Sequence, residues 1–481
     1  MDTAVVWFRD DLRITDNPVL ADAVDRADTV LPAYVVDPRR RGDSEYGPAK
    51  LGGHRARFRR ESLLDLRDSL RERGGELVVE EGRAESVLPT LAAEYDADAV
   101  FAQTKPATEE LEREHAVRES LPADVELERR WTHTLYHIND LPTPYDQIND
   151  TFTPWRKEVE QGTEVRSPLS APEKIPAPES VESGPIPTVG ELAGSETADT
   201  LDGPDDRAVL PFEGGETAGK ERLESYFWEG DHLREYKETR NGMLGADYSS
   251  KFSPYLAAGC LSPRWIHREV ERYEEQRVSN EDTYWLLFEL AWRDFFQFQF
   301  VKHGRDFFLP GGIRGVDKDW QHDREQFQRW ADGETGLPFV DANMRELNRT
   351  GYMSNRGRQN VASFLVDALK IDWRWGAAYF EEQLIDYDVA SNWGNWAYQG
   401  GVGNDSRDNH FNVLSQAERY DGNAEYVRTW LPELAELPPE YAHRPWRMGE
   451  TEQADHGVEL GIEYPRPMID FEDRYAELGR Q

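Results

Sequence analysis

Ser249, Ser250, Lys251, Phe252 and Ser253 stand immediately ahead of Pro254. Proline is tolerated in the first turn of a helix. Three hydroxyls, an ammonium and free backbone amides thus gather where a helix begins, which is the chemistry that holds a phosphate. The same residues also suit an ordinary helix cap. Glu289, Trp292 and Arg293 stand at i, i+3 and i+4, so a helix puts them on one face. That face offers an indole to stack on a flat ring, a carboxyl to bond its edge and a guanidinium. Asn355 and Gln359 repeat the i, i+4 spacing with two amides. Indole is also the side chain most easily oxidised, and twelve of the fifteen tryptophans lie at or beyond Trp228. Core packing explains any single one of them equally well. The eleven histidines form no HExxH-type metal motif. Cys260 is the only cysteine, which excludes an internal disulfide and a Cys-rich metal centre.

These residues need elements to position them. Apolar runs at 3–8, 29–37, 76–82, 97–103 and 125–131 read as strands, with helical stretches at 19–27, 53–73 and 84–95 between them. Such alternation implies a parallel sheet, and thus a doubly wound, Rossmann-like α/β domain over 1–140. No GxGxxG loop supports ordinary dinucleotide binding there. Residues 167–211 carry eight prolines and no aromatic residue, which marks 141–217 as a long connector running over the surface or partly disordered. From 218 to 481 the pattern is helical and rich in aromatics.

The net charge is −37, from 93 acidic against 56 basic residues. Such a surface stays soluble through self-repulsion that salt screens, as in the cytoplasm of a halophile. It also opposes nucleic-acid binding, because phosphates need cations. A local basic patch can still meet that need, so the motifs must decide. No apolar run approaches the roughly 20 residues that span a bilayer. The start, MDTAVVWFRDDLR, lacks the basic and apolar regions of a signal peptide. A cytoplasmic protein without membrane contact is expected.

Three long stretches go beyond pattern. They are YKETRNGMLGADYSSKFSPYLAAGCLSPR (236–264), WLLFELAWRDFF (285–296) and GLPFVDANMRELNRTGYMSNRGRQNVASFL (336–365), the last continuing through IDWRWGAAYFEEQLIDYDVASNWGNWAYQGGVGND (371–405). Together they resemble the FAD-binding domain of photolyases and cryptochromes. VVWFRDDLRITDNPVLADA resembles the N-terminal domain of that family. The string SNWGNWAYQGGVGND, followed by FNVLSQAERYDGNAEYVRTWLPEL, is similar to the DASH branch. The resemblance spans nearly everything except the connector and the last fifty or so residues.

The resemblance implies a helical FAD-binding C-terminal domain and a role for each matching residue. Ser249, Ser250, Lys251, Phe252 and Ser253 match the pyrophosphate segment, with Tyr236 and Arg293 at the cofactor. Arg358 and Asp386 match the pair flanking the flavin ring, Asp388 a carboxylate facing the flavin and ribose region, and Asn392 the position beside flavin N5. A neutral amide there can accept from N5–H of a reduced flavin. Trp396, Trp373 and Trp320 match an electron relay to the surface. Glu289, Trp292, Asn355, Arg356, Gln359 and Tyr398 match the substrate side, where Trp292 stacks on an extruded base and Glu289 bonds a thymine edge. Gln359 and Tyr398 stand where many relatives carry methionine and tryptophan. With one indole fewer to clasp a flipped dimer, single-stranded or looped DNA is the expected substrate.

The implied reaction is light-driven splitting of cyclobutane pyrimidine dimers, as a monomer on DNA, with RNA as a further candidate partner. The rival reading is a blue-light photoreceptor that binds nucleic acid and signals. A 6-4 photolyase is disfavoured because Ser354, not histidine, precedes Asn355. A bare nucleotide-binding α/β protein with a helical partner-binding domain would purify colourless. An antenna chromophore such as 5,10-methenyltetrahydrofolate stays open. The acid that holds folate in some relatives falls at Lys105, and an ammonium cannot accept in place of a carboxylate; Glu109 and Glu110 are the substitutes. Arg314, Lys318, Arg349, Arg356 and Arg407 are the cations expected near the cavity.

Overall fold

The computed structural model describes residues 1–200, 203–405 and 410–479. Five strands, β1 (Thr3–Phe8), β2 (Thr29–Val36), β3 (Val78–Glu81), β4 (Ala99–Gln103) and β5 (Glu126–Arg130), form one parallel sheet in the order β3-β2-β1-β4-β5. Helices α1 (Pro18–Arg26), α2 (Gly53–Arg71), α3 (Ala84–Glu94) and α4 (Thr108–Ser120) connect them. The expected strands and helices appear with shifts of one to two residues at their ends. β1 is buried along its whole length, as a central parallel strand covered on both faces must be. Its Val6 and Phe8 join one core; Val5 and Trp7 join the other. Asn17 starts α1 by accepting from the amides of Val19 (3.0 Å) and Leu20 (3.2 Å).

The described residues of the expected connector include regular structure. It contains α5 (Phe152–Gly162) and a short helix at Val189–Ala193. Ile175 in it is fully buried, and the Val79 amide of β3 donates to Ser183 O at 2.9 Å.

The helical part follows. Its site-bearing members are α6 (Ser253–Ala258), α7 (Glu281–His303), α8 (Pro338–Thr350), α9 (Asn355–Ser363), α10 (Trp373–Gln383) and α11 (Val389–Gln399). Asn280 and Thr283 cap α7 reciprocally at 3.0 and 3.2 Å, with Glu281 and Asp282 at its positive end and Lys302 and His303 at its negative end. Ser354 caps α9 and Asp388 caps α11, accepting from Gly357 N (3.0 Å) and Ser391 N (2.9 Å). Glycines let these helices approach. A Cβ on Gly376 of α10 would lie 2.2 Å from the Trp396 ring, and one on Gly394 of α11 would lie 2.3 Å from Phe296 of α7.

The turn after β1 joins the two parts. Leu12 N donates to Ala258 O (3.2 Å), Ile14 N to Glu216 (2.7 Å), and Arg264 pairs with the buried Asp16 at 2.5 Å. At Gly259, φ is +73° and a Cβ would sit 2.1 Å from Asp10 O, so only glycine fits this joint. The six-residue α6 thereby comes to lie between both halves of the molecule.

Candidate functional site

A cavity of about 230 Å³ opens among α9, α10 and α11. Eight of the expected residues line it: Asn355, Arg358, Gln359, Asp386, Asp388, Asn392, Trp396 and Tyr398. Phe380, Tyr387 and Phe411 complete an aromatic wall. Arg358 donates to Asp386 Oδ2 (2.8 Å) and to Met353 O (3.0 Å). Burial opposes the Arg358 charge, but Asp386 outweighs it and raises the guanidinium above its ordinary value. Asp388 is buried and holds bonds from Gln297 Nε2 (2.8 Å) and Ser391 N (2.9 Å) on one oxygen. Burial pushes its carboxyl up, yet Lys105, Arg293 and Ser391 together lower it to about 2. Asn392 donates its amide nitrogen to Ala377 O (2.9 Å), which leaves its carbonyl oxygen as the group for the cavity.

Three buried oxygens on this wall, Asp386 Oδ1, Asp388 Oδ2 and Gln359 Oε1, have no hydrogen-bond partner. Native structures rarely leave such atoms unsatisfied. A flat aromatic ligand with donors along one edge fits that set of acceptors and rings, as a flavin does.

The turn expected to hold a phosphate lies beside this cavity. Lys251 has φ +60° and is 2% exposed. Its ammonium is 3.2 Å from Ser249 Oγ and 5.5 Å from the Tyr352 ring, and Arg358 lies 5.6 Å from that same ring. No side chain caps α6, so the hydroxyls of Ser249, Ser250 and Ser253 are not spent on the helix start. Burial drives the Lys251 ammonium well below its usual value. Arg222 pins the turn through Ser250 O (3.0 Å), Ser249 O (3.2 Å) and Ala246 O (3.2 Å). Tyr236 and Phe252 are buried nearby in the apolar core.

Glu346 of α8 is buried beneath the turn, 2.6 Å from Tyr426 Oη. Burial pushes its carboxyl up to about 8 against Tyr426, Lys251 and Arg358. A raised carboxyl favours the protonated folded state. Its contribution is complete below about pH 4, where the unfolded carboxyl is also protonated, and is lost as pH climbs toward 8. Glu346→Gln keeps an acceptor for Tyr426 and removes the titration. Its thermal midpoint should fall less than the wild-type midpoint between about pH 5 and pH 8; parallel falls would contradict this assignment.

The indoles form steps. Trp396 lines the cavity and is 3% exposed, and Trp373 on the adjacent α10 is fully buried. A Cβ on Gly400, just after α11, would touch the Trp373 ring at 3.2 Å and the Trp396 backbone O at 3.3 Å, and the ring packed edge-on against Trp373 is Trp393, at 5.8 Å. Trp373 and the half-buried Trp320 both donate to Pro310 O, each at 3.2 Å. Exposure rises from the buried Trp396 and Trp373 to the half-buried Trp320.

α7 is different. Glu289, Trp292 and Arg293 share a face as expected, but none of them lines the 230 Å³ cavity. Glu289 is ion-paired with Arg240, and burial nevertheless raises its carboxyl above the usual range. Phe152 of α5 stacks on one face of Trp292, at 3.6 Å and 11°. A base must displace Phe152 to use that face. Arg293 donates to His133 O and to Leu256 O (3.4 Å).

Among the cations expected near the cavity, Arg356 bonds Asn241 (3.0 Å) and lies 4.5 Å from the Tyr420 ring. Arg314 and Lys318 donate to Gly401 O (2.9 Å) and Gly400 O (2.6 Å), just beyond α11. Arg349 instead pairs with Asp205 of the connector at 3.0 Å. Arg407 lies outside the described residues. A second, larger groove of about 690 Å³ runs between the two domains, lined by Lys105, Glu109, Glu110, Arg374 and Trp393 among others. Tyr387 and Asp388 line both spaces and form the wall between them. Sequence reading missed Arg222, Tyr352, Phe152 and Tyr387, which act through contacts distant in the chain. Among the described residues no helix is long and apolar enough to cross a membrane, and no cluster of His, Cys, Asp and Glu suits a metal ion.

Family models match two stretches of the chain. Residues 4–179 match DNA photolyase, and residues 285–481 match the FAD binding domain of DNA photolyase. The chain is 69% identical to a Cryptochrome DASH of Natronomonas pharaonis over 479 residues, covering 99% of this chain and 100% of that one. It is 47% identical to a Cryptochrome DASH of Synechocystis sp., covering 98% and 95%. The crystal structure of a Synechocystis cryptochrome superposes with a TM-score of 0.95 at 46% identity, covering 100% and 99%. A class III photolyase of Agrobacterium tumefaciens gives 0.82 at 29%, covering 100% and 98%.

Proposed function

Since the chain belongs to the photolyase/cryptochrome family, on its DASH branch, we propose that it is a blue-light-driven lyase. Its substrate is the cyclobutane pyrimidine dimer, preferentially in single-stranded or looped DNA, met as a monomer in a high-salt cytoplasm. One observation carries this reading. The amide oxygen of Asn392 and the indole of Trp396, on the flavin side, share one cavity with Asn355, Gln359 and Tyr398, on the substrate side.

Arg358, Asp386, Asp388 and Asn392 would hold the flavin ring, and the Ser249–Ser253 turn with Lys251 would hold the pyrophosphate. Bound there in reduced form, FAD supplies a light-excitable one-electron donor. The residues do the rest. Asn392 keeps an acceptor at the cavity, Trp396, Trp373 and Trp320 offer an oxidisable path to the surface, and the aromatic wall excludes water. Glu289, held by Arg240, would hydrogen-bond the pyrimidine edge. The overall reaction is redox-neutral: the two carbon–carbon bonds joining the pyrimidines break and the ring double bond of each pyrimidine re-forms.

The polar Gln359 and Tyr398 support the single-strand preference, since a damaged base outside a duplex costs less to extrude. The interdomain groove is the proposed seat of an antenna chromophore, with Glu109 and Glu110 as its carboxylates. Arg356 is assigned to DNA. Arg356→Ala should weaken binding of a dimer-containing oligonucleotide about tenfold and leave bound FAD unchanged; equal losses of both would remove that assignment. The reading itself is tested by irradiating the reduced protein at high salt with the same dimer in single-stranded and duplex DNA. Faster repair of the single strand is expected. Equal or faster duplex repair contradicts the preference. No repair of either, by a protein that binds FAD, moves the reading to a photoreceptor.

A further inference from the structure

We propose that Lys105, a residue of the α/β domain, acts on the flavin cavity from outside it, as the counter-charge that keeps Asp388 ionised and aimed. This rests on the reading of that cavity as the flavin site. Lys105 follows β4 and is 4% exposed. Its amide donates to Glu114 at 3.2 Å, which fixes its backbone. Its ammonium stands 3.3 Å from Asp10 Oδ2 and 3.8 Å from Asp388 Oδ2, one carboxylate from each domain.

The two carboxylates are not equally provided for. Asp10 also has Arg59 at 2.7 Å and Arg40 at 3.8 Å. Asp388 has its bonds from Gln297 and Ser391 on Oδ1, while Oδ2 is buried without a hydrogen-bond partner. Among the described residues, Lys105 is the cation within ion-pair distance of that oxygen. Asp388 caps α11 and forms, with Tyr387, the wall between the interdomain groove and the cavity. Buried side chains attract strongly across such a gap, and removing one member leaves the other charged and unpaired. A cation where a folate-binding acid was expected therefore has an internal partner: it ties the α/β domain to the floor of the cavity. Lys105 is a positioning residue, since it reaches the cavity only through Asp388.

The test compares Lys105→Met, Lys105→Arg, Asp388→Asn and the double variant Lys105→Met/Asp388→Asn. Two quantities are read: FAD affinity of the stripped protein by fluorescence titration, and the midpoint potential of the bound flavin. Lys105→Met should weaken FAD binding about tenfold, which is about 1.4 kcal/mol, and lower the potential, because an uncompensated carboxylate opposes electron uptake. Lys105→Arg should restore most of both. The double variant should be no worse than Asp388→Asn alone, because neighbours that act together are not additive. Unchanged affinity and potential in Lys105→Met overturns the proposal. So does an additive double variant, a comparison that still decides the matter if Lys105→Met alone folds poorly. If Asp388→Asn also leaves FAD binding and potential untouched, it is the flavin reading of the cavity that fails.

Discussion

Replacing Trp373 with phenylalanine should slow photoreduction of the oxidised flavin at least about tenfold while FAD stays bound. The expectation follows from position. Trp373 is fully buried on α10, which packs against the α11 that carries Trp396, and it shares Pro310 O with Trp320. Phenylalanine fills most of the same space, so the loss in stability should be modest, about 1–2 kcal/mol for the smaller ring and the lost N–H bond. Its ring is far harder to oxidise, so the path is cut without removing the wall. Unchanged photoreduction would break the relay as drawn. The structure names the bypass to check next. Trp330 lies 6.1 Å from Trp396, and Phe327 links it to Trp375 at 5.6 and 5.4 Å. Photoreduction lost only in Trp373→Phe/Trp330→Phe would establish two routes.

The second large effect is expected at Arg358. Arg358→Leu removes the partner of Asp386, whose other oxygen already lacks a hydrogen bond. An uncompensated buried carboxylate costs several kcal/mol; with a quarter of the Arg358 side chain exposed, about 3 kcal/mol is appropriate. The same cation faces the cavity, so FAD affinity should fall more than about 100-fold, equivalent to about 2.7 kcal/mol. Arg358→Lys keeps the charge but loses the forked geometry that also engages Met353 O, and should fall between the two. Full FAD occupancy in Arg358→Leu would show that this pair is structural and that the cavity is not built around it.

Much of the fold was legible because its signals are local. A central parallel strand must be apolar throughout, and TAVVWF reads that way. Asn17, Ser354 and Asp388 sit where helix caps belong. The connector was harder. Its prolines marked it as a surface strap, but Ile175 is buried by contacts that composition does not encode. At the site, residues on α9 and α11 were legible because helical spacing and the resemblance agreed. Trp292 shows the limit: Phe152, which covers its ring, is 140 positions away in sequence. Arg222 is equally silent, since an arginine that binds three carbonyls looks like any surface cation. Lys105 was visible only as a departure, and its partner Asp388 emerged from the packing of two domains.

The most direct test of the central claim is the loss of cyclobutane thymine dimers from a single-stranded oligonucleotide under blue light, followed with the reduced, FAD-loaded protein at high salt beside a dark control. Dimer loss that scales with light dose, no loss in the dark, and intact thymines as product are expected. Flavin that is bound and photoreduced while dimers persist at every dose would contradict that claim.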